Sequence, residues 1–192
     1  MKNFNYHTAK DSKEASKLSS SSSAFLAGGM TTIPSMKLGL ASYKDLIDIK
    51  NIKKLSGIKV NSKSVIIGAT TKHVEVANSK ELKKAIPSLS SLAEGIGDPQ
   101  VRNRGTIGGS VANNDPSADY PSACIALNAT IHTNDRKIEA SKFFKGMFET
   151  ALKKGELIEA IEFQIPETSS YQKHPNPASR YAIVGVYVAK HK

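Results

Sequence analysis

The chain is 192 residues long, with 39% hydrophobic residues, a formal net charge of +10 and a single cysteine. This supports one ordinary domain or two small ones with a real core, and excludes both an internal disulfide and an iron–sulfur cluster held by the chain's own thiolates. The positive charge is lysine spread along the chain, with four arginines among 27 basic residues, which argues against a nucleic-acid-binding face.

FNYHT (4–8) reads as a short strand, and Asp11 and Glu14 stand in capping-box spacing at the head of a helix running to about Ser19. The serines at 19–23 read as a solvated connection. AFLAGG then reads as a strand running into paired glycines, and DLIDIK (45–50) as another strand, a β-α-β opening. GIKVNSKSVIIGAT suggests two strands joined at Asn61 and Ser62. Residues 71–95 hold helical patterns interrupted at Pro87, with Leu89, Leu92, Ala93 and Ile96 on one apolar face.

Asp115 is expected to cap a helix beginning at Pro116, and SADYPSACIALNA continues as helix with Cys124 as a buried small hydrophobe. ATIHTN and DRKIEA alternate like a hairpin, and GELIEAIEFQIP closes as a strand. The segregation of strands and helices indicates an α+β fold. The last segment, YAIVGVYVAKHK, reads as a strand without neighbours that exposes Ile183, Val184, Val186 and Val188. No run approaches the roughly 18 apolar residues of a membrane span, and the N-terminus lacks a secretory signal, so a cytoplasmic protein is expected.

Two glycine-rich segments stand out. In FLAGGMTTIP a strand ends at Gly28 and Gly29 and passes into Thr31 and Thr32. Successive backbone amides at such a bend can cradle phosphate oxygens, although alone the segment reads as well as a plain strand-ending turn. In TIGGSVANNDPSAD, Gly108 and Gly109 are flanked by the hydroxyls of Thr106 and Ser110. Neither segment is G-x-G-x-x-G and no G-x-x-x-x-G-K-[ST] occurs, so Rossmann and P-loop readings fail. Two such bends could instead clasp one diphosphate from opposite sides.

FLAGGMTTIPSMKLGLA, DLIDI, IGDPQVRNRGTIGGSVANNDPSADYPSACIALNA, FFKGMFETALKKGELIEAIEFQIP and HPNPASRYAIVGV occur in consistent order along the whole chain. Together they resemble the FAD-binding medium subunit of molybdenum hydroxylases of the carbon monoxide dehydrogenase and xanthine dehydrogenase type. The resemblance implies a two-part FAD-binding domain, a small N-terminal β-α-β part (1–55) and a larger mixed sheet with helices (56–168). Residues 169–192 are then the start of a C-terminal domain of which most is missing.

It implies FAD contacts from Ala27, Gly28, Gly29, Met30, Thr31, Thr32 and Ile33 in the first loop, and from Thr106, Gly108, Gly109 and Ser110 in the second. Asp119, Leu157, Lys173 and Ile96 follow as further contacts by alignment. Met30 stands where the family commonly has a polar residue. The implied function is transfer of electrons from partner [2Fe–2S] clusters through the flavin to an external acceptor. The molybdopterin lies in a large subunit and the clusters in a small one. Alternatives are a self-contained flavin oxidoreductase and a non-catalytic nucleotide-binding or assembly module.

No residue is assigned as a general acid or base. His73 has no second histidine at metal-ligand spacing and reads as a surface or core-edge residue without a part in cofactor retention. Arg102 and Arg104 can pair with the diphosphate or with carboxylates that brace the second loop, and bracing is the preferred reading.

Overall fold

The structure, a computed structural model, describes residues 1–191. The first part contains β1 (Asn5–Thr8), α1 (Ser12–Leu18), β2 (Ser23–Leu26), α2 (Thr32–Lys37) and β3 (Asp45–Asp48). Its three strands form a parallel sheet in the order β1-β3-β2. Helix α1 starts where expected: the Asp11 carboxylate accepts from the Glu14 amide at 2.8 Å. The Glu14 carboxylate reaches back to the Lys10 amide at 2.7 Å, one residue beyond a standard capping box.

Central strand β3 buries Leu46, Ile47 and Asp48. The Asp48 carboxylate is tolerable there because it accepts from the Lys50 amide, pairs with the Lys50 ammonium at 2.8 Å and accepts from the Tyr6 hydroxyl. Ala9, Ala15, Ile47, Ile49, Ile52, Leu55 and Leu157 form the small core of this part.

A larger antiparallel sheet follows. Its strands are β4 (Ile58–Val60), β5 (Ser64–Gly68), β6 (Thr130–Thr133), β7 (Lys137–Glu139) and, after the short hairpin of β8 (Phe144–Gly146) and β9 (Glu149–Thr150), β10 (Ile158–Gln164). The order is β4-β5-β10-β6-β7, with every neighbouring pair antiparallel.

Between β5 and β6 lie α3 (His73–Asn78), α4 (Lys80–Ala85), α5 (Pro87–Glu94), α6 (Pro99–Arg104), α7 (Ile107–Asn113) and α8 (Tyr120–Ala126); α9 (Ala140–Phe143) follows β7. Val65, Ile67, Ile131, Ile161 and Phe163 of the sheet pack in one core with Val76, Leu82, Leu89, Leu92, Val111, Ala123 and Cys124 of the helices. Burial pushes the Cys124 thiol up, far from any reactive state.

Three expectations need correction. Pro87 opens α5 at its first position, where its missing N–H costs nothing, instead of only interrupting a helix. Asp115 does not cap a helix at Pro116: its carboxylate accepts from the Ser117 amide at 2.9 Å in a local turn, and α8 begins at Tyr120 with Pro121 in its first turn. The last strand is not without neighbours, because β11 (Thr168–Pro175) pairs with β12 (Ala182–Lys190) along its length.

On the hairpin's inner face the Tyr187 hydroxyl meets Ser88 of α5 at 2.5 Å, and Ser169 meets Ser88 at 2.6 Å. Ile183, Val184, Val186 and Val188 are exposed, as expected.

The ion pair below the sheet yields a pH prediction. Burial would raise the Glu156 carboxyl. The Arg136 guanidinium (2.9 and 3.1 Å), the Lys153 amide (2.8 Å) and the Thr133 hydroxyl (2.8 Å) outweigh it and hold the group at about 2, against an ordinary 4.5. A depressed acid contributes stability above its unfolded pKa and loses it as pH falls towards the folded one. Stability towards urea should therefore fall between pH 4.5 and about 2, and Glu156→Gln should flatten that slope; an unchanged slope contradicts the pairing.

Candidate functional site: a cleft between two glycine segments

The chain leaves β2 at Leu26 and bends at Gly28 and Gly29, the second with φ at +74°, a conformation that L side chains resist. Gly28 has a different reason to be glycine. A Cβ built there would lie 2.1 Å from the Arg104 carbonyl oxygen and 2.9 Å from the Gly105 α-carbon. The first bend is thus pressed backbone to backbone against the end of α6 and the start of the second glycine segment, and no side chain separates them.

The two segments offer different chemistry. Among the described residues, the amides of Gly28, Gly29, Met30, Thr31 and Thr32 donate to no backbone acceptor. Five successive free donors at a bend are the kind of arrangement that can cradle anionic oxygens. The second segment is not a free bend but the first turn of α7, and its amides are engaged: Ile107 donates to Thr71, Gly108 to Ala69, Gly109 to the Thr106 hydroxyl and Ser110 to the Thr106 carbonyl. Gly108 is packed against the backbone of Ala69, where a Cβ would lie 2.7 Å from the carbonyl oxygen. Gly109 is exposed, and a Cβ there would touch only the Thr106 hydroxyl at 3.0 Å. Both glycines line the cleft, but only Gly109 is exposed, with room beside its backbone on the cleft side.

The cleft between the segments has a volume of about 490 Å³, within the roughly 300–1,000 Å³ of small-molecule and cofactor sites. Ala27, Gly28, Gly29, Met30, Thr31 and Thr32 line one wall, and Thr106, Gly108, Gly109 and Ser110 another; Ile96, Asp119 and Leu157 also line it. Two expected contacts lie outside the lining. Ile33 sits in α2, with its Cγ1 3.2 Å from where a Cβ on Gly29 would be. Lys173 is drawn away by Asp119 (2.9 Å) and the Gly95 carbonyl (3.1 Å). Arg102 does not brace the second segment through carboxylates; it donates instead to the Ile96 and Gly97 carbonyls just before its own helix, at 3.0 and 2.9 Å.

Asp119 is committed within the protein as well as lining the cleft. Its carboxylate takes both the Lys173 ammonium and the Tyr171 hydroxyl, with side-chain exposures of 5% for Asp119 and 9% for Lys173. Burial, with this carboxylate beside it, pushes the Tyr171 hydroxyl up. The arrangement pins the β11–β12 hairpin to the head of α8 and carries Arg180 and Tyr181, in the hairpin's loop, to the cleft. Asp119→Ala leaves a buried ammonium unpaired and should destabilise the protein by about 3–5 kcal/mol, read in urea unfolding. A loss below about 1 kcal/mol would mean the pair behaves as a surface one.

Sequence reasoning missed several lining residues, among them Phe25, Ile49, His73 and Tyr181. Phe25 and Ile49 carried a signal, since each lies within a few residues of the point where a parallel strand delivers its chain to the cleft. His73 is not on the surface but at the core's edge: it is 4% exposed, it lines the cleft, and its ring leans on the core residue Tyr120 at 5.5 Å. Burial, helped by the Arg102 charge, holds it down at about 4, so it is neutral near pH 7.

The free-donor bend, the glycine backbone opposite it and the cleft's volume fit a dinucleotide whose diphosphate meets the bend. The model of the family described as "FAD binding domain in molybdopterin dehydrogenase" matches residues 2–168. The glyceraldehyde dehydrogenase medium chain of Sulfolobus acidocaldarius is 36% identical over 97% of this chain and 69% of its own length. The carbon monoxide dehydrogenase medium chain of Hydrogenophaga pseudoflava is 35% identical over 98% and 69%.

Among solved structures, carbon monoxide dehydrogenase from Hydrogenophaga pseudoflava superposes with a TM-score of 0.91 at 35% identity, over 96% of this chain and 68% of that one. Quinoline 2-oxidoreductase from Pseudomonas putida gives 0.91 at 27% identity over the same shares. Among the described residues no helix is long and apolar enough to cross a membrane. The chain therefore belongs to the FAD-binding family of molybdopterin dehydrogenases: it is an FAD-binding subunit of molybdenum hydroxylase-type oxidoreductases, and its cofactor is FAD.

Proposed function

We propose that the chain holds FAD with the diphosphate against the amides of Gly28, Gly29, Met30, Thr31 and Thr32, and that it carries electrons between partner [2Fe–2S] clusters and an external acceptor. The observation that bears most weight is the run of unengaged amides at a bend pressed onto Arg104. Hydroxyls of Thr31, Thr32 and Ser110 add donors at the rim, while Gly109 and the apolar side chains of Ile96 and Leu157 supply surface for the rest of the dinucleotide. Bound flavin supplies the redox chemistry, accepting and releasing electrons singly or in pairs. The protein's share is to bind, orient and screen it, and no side chain here needs to act as an acid or base.

The partner assignment follows from the chemistry this chain can offer. Its one cysteine, Cys124, is buried in the core, so these residues cannot themselves hold the clusters that would exchange electrons with the flavin, and we place those clusters in a partner subunit. The family's molybdopterin would likewise sit in a separate large subunit.

The experiment is direct. The purified chain, alone and after addition of FAD, should show the two visible absorption bands of a bound flavin and quench the flavin's fluorescence. Co-expression with a cluster-bearing subunit should make the flavin reducible by that subunit's reduced clusters. A chain that stays colourless in excess FAD contradicts the binding reading. A flavin that no cluster protein reduces contradicts the electron-transfer reading alone.

A further inference from the structure

Three buried polar atoms of the described residues have no hydrogen-bond partner: the Thr70 hydroxyl, His73 Nδ1 and the Tyr120 hydroxyl. Such atoms are rare in folded proteins and call for a reason. Of the three residues, only His73 lines the cleft. It is the first residue of α3, held in place by its own amide, which donates to the Gly105 carbonyl at 3.0 Å, and by the ring of Tyr120 behind it.

Gly105 gives the orientation. Its backbone is ordinary, with φ at −59° and ψ at 145°, so no conformational demand requires glycine. What a side chain would meet there is His73: a Cβ would lie 2.6 Å from Nε2. The glycine therefore keeps the Nε2 edge of the ring clear on the side of the second segment, and Gly105 and His73 line the cleft together. The next residue back, Arg104, is the one whose carbonyl touches Gly28, so Nε2 sits beside the junction of the two segments.

The proton's position follows from the other nitrogen. Nδ1 is fully enclosed without a partner. A proton there would be an orphaned buried donor, which is rarer in proteins than an unfilled acceptor lone pair. The neutral ring therefore carries its hydrogen on Nε2, on the ring edge that lies against Gly105 at the cleft wall.

We propose that His73 is a cofactor-positioning residue, donating from Nε2 to a diphosphate oxygen of bound FAD at the junction of the two glycine segments. The inference rests on the reading of the cleft as the FAD site. Arg102 is already engaged with the Ile96 and Gly97 carbonyls, and Lys173 with Asp119, so a neutral donor at this junction adds to the amides of residues 28–32 without adding charge.

The test uses the full chain with His73→Phe, which keeps a ring but no donor, and His73→Gln, which keeps a donor. Three readouts are taken: the FAD dissociation constant from fluorescence quenching, the 31P spectrum of the bound diphosphate, and thermal unfolding of the FAD-free protein. His73→Phe should weaken FAD about 10-fold or more and shift a 31P resonance. It should leave the FAD-free protein as stable or more so, because an unsatisfied polar ring has been removed. His73→Gln should stay within about 3-fold of wild type.

A purely structural histidine predicts the reverse, a lower unfolding temperature with unchanged affinity and 31P spectrum, and that result overturns the inference. If His73→Phe does not fold, the 31P spectrum of Gly105→Ala decides, since the added methyl group displaces Nε2; a spectrum identical to wild type overturns the inference too. A wild-type chain that binds no FAD removes the site reading itself, whereas a wild type and a His73→Phe that bind equally well remove only this proposal.

Discussion

Gly28→Ala is expected to yield a protein with no bound FAD and a markedly lower unfolding temperature. The methyl group would fall 2.1 Å from the Arg104 carbonyl oxygen and 2.8 Å from its carbon, well inside van der Waals contact. Both neighbours are main chain, so no side-chain rotation relieves the overlap, and the first bend must lift from the end of α6. Overpacking costs about 1–3 kcal/mol in general, and a rigid main-chain neighbour puts this case at the upper end. Because the same movement opens the cleft, affinity and stability should fall together. Thermal unfolding and flavin content measured on one preparation check this; a brightly yellow, fully stable variant would mean that the two segments do not touch as described.

Gly109→Val should separate the two losses. A Cβ here meets only the Thr106 hydroxyl at 3.0 Å, and the position is exposed at the third residue of α7. Valine is a better helix former than glycine, by a few tenths of a kcal/mol, so the FAD-free protein should unfold at the same temperature or slightly higher. The branched side chain projects into the cleft and should lower FAD affinity at least about 100-fold by preventing backbone approach. Flavin content equal to wild type would assign the second segment a purely structural role.

These two glycines illustrate what the sequence could and could not tell. The pairs Gly28–Gly29 and Gly108–Gly109 were conspicuous in one dimension, and the structure brings the segments that contain them together. Which member of each pair meets what was not legible. Gly28 answers to Arg104 and Gly108 to Ala69, residues far away in the chain, whereas Gly29 answers to its own φ and Gly109 meets only the nearby Thr106 hydroxyl.

For the same reason the second segment read as a bend. Glycine pairs argue against helix, yet Thr106 caps the Gly109 amide, and the close packing of Gly108 on β5's end selects a helical turn. Strong local patterns were legible: Asp11 as a cap, the hairpin at 130–139, the apolar strand β10. Short elements held by tertiary contacts were not, including α2, α6 and the β8–β9 hairpin. The β8–β9 hairpin is tied down by Asn114, whose side chain donates to the Gly146 and Glu149 carbonyls at 2.8 and 2.9 Å.

The candidate site divides the same way. Lys173 was expected at the cofactor and is instead spent on Asp119, because a buried carboxylate at the head of α8 needs a cation more than the cleft does. His73 was set aside since a lone histidine in a lysine-rich helical stretch carries no signal. Its significance lies in an unpartnered nitrogen and in a glycine 32 residues later that leaves room for its ring.

The central claim is that one bend donates and the other shapes. Amide hydrogen exchange, followed residue by residue with and without FAD, tests it most directly. The amides of Gly28, Gly29, Met30, Thr31 and Thr32 should exchange fast in the free protein and become protected when FAD is added, while those of Ile107 and Gly108, already bonded to Thr71 and Ala69, should be slow in both states. Protection that appears elsewhere while residues 28–32 exchange alike with and without FAD would contradict the account.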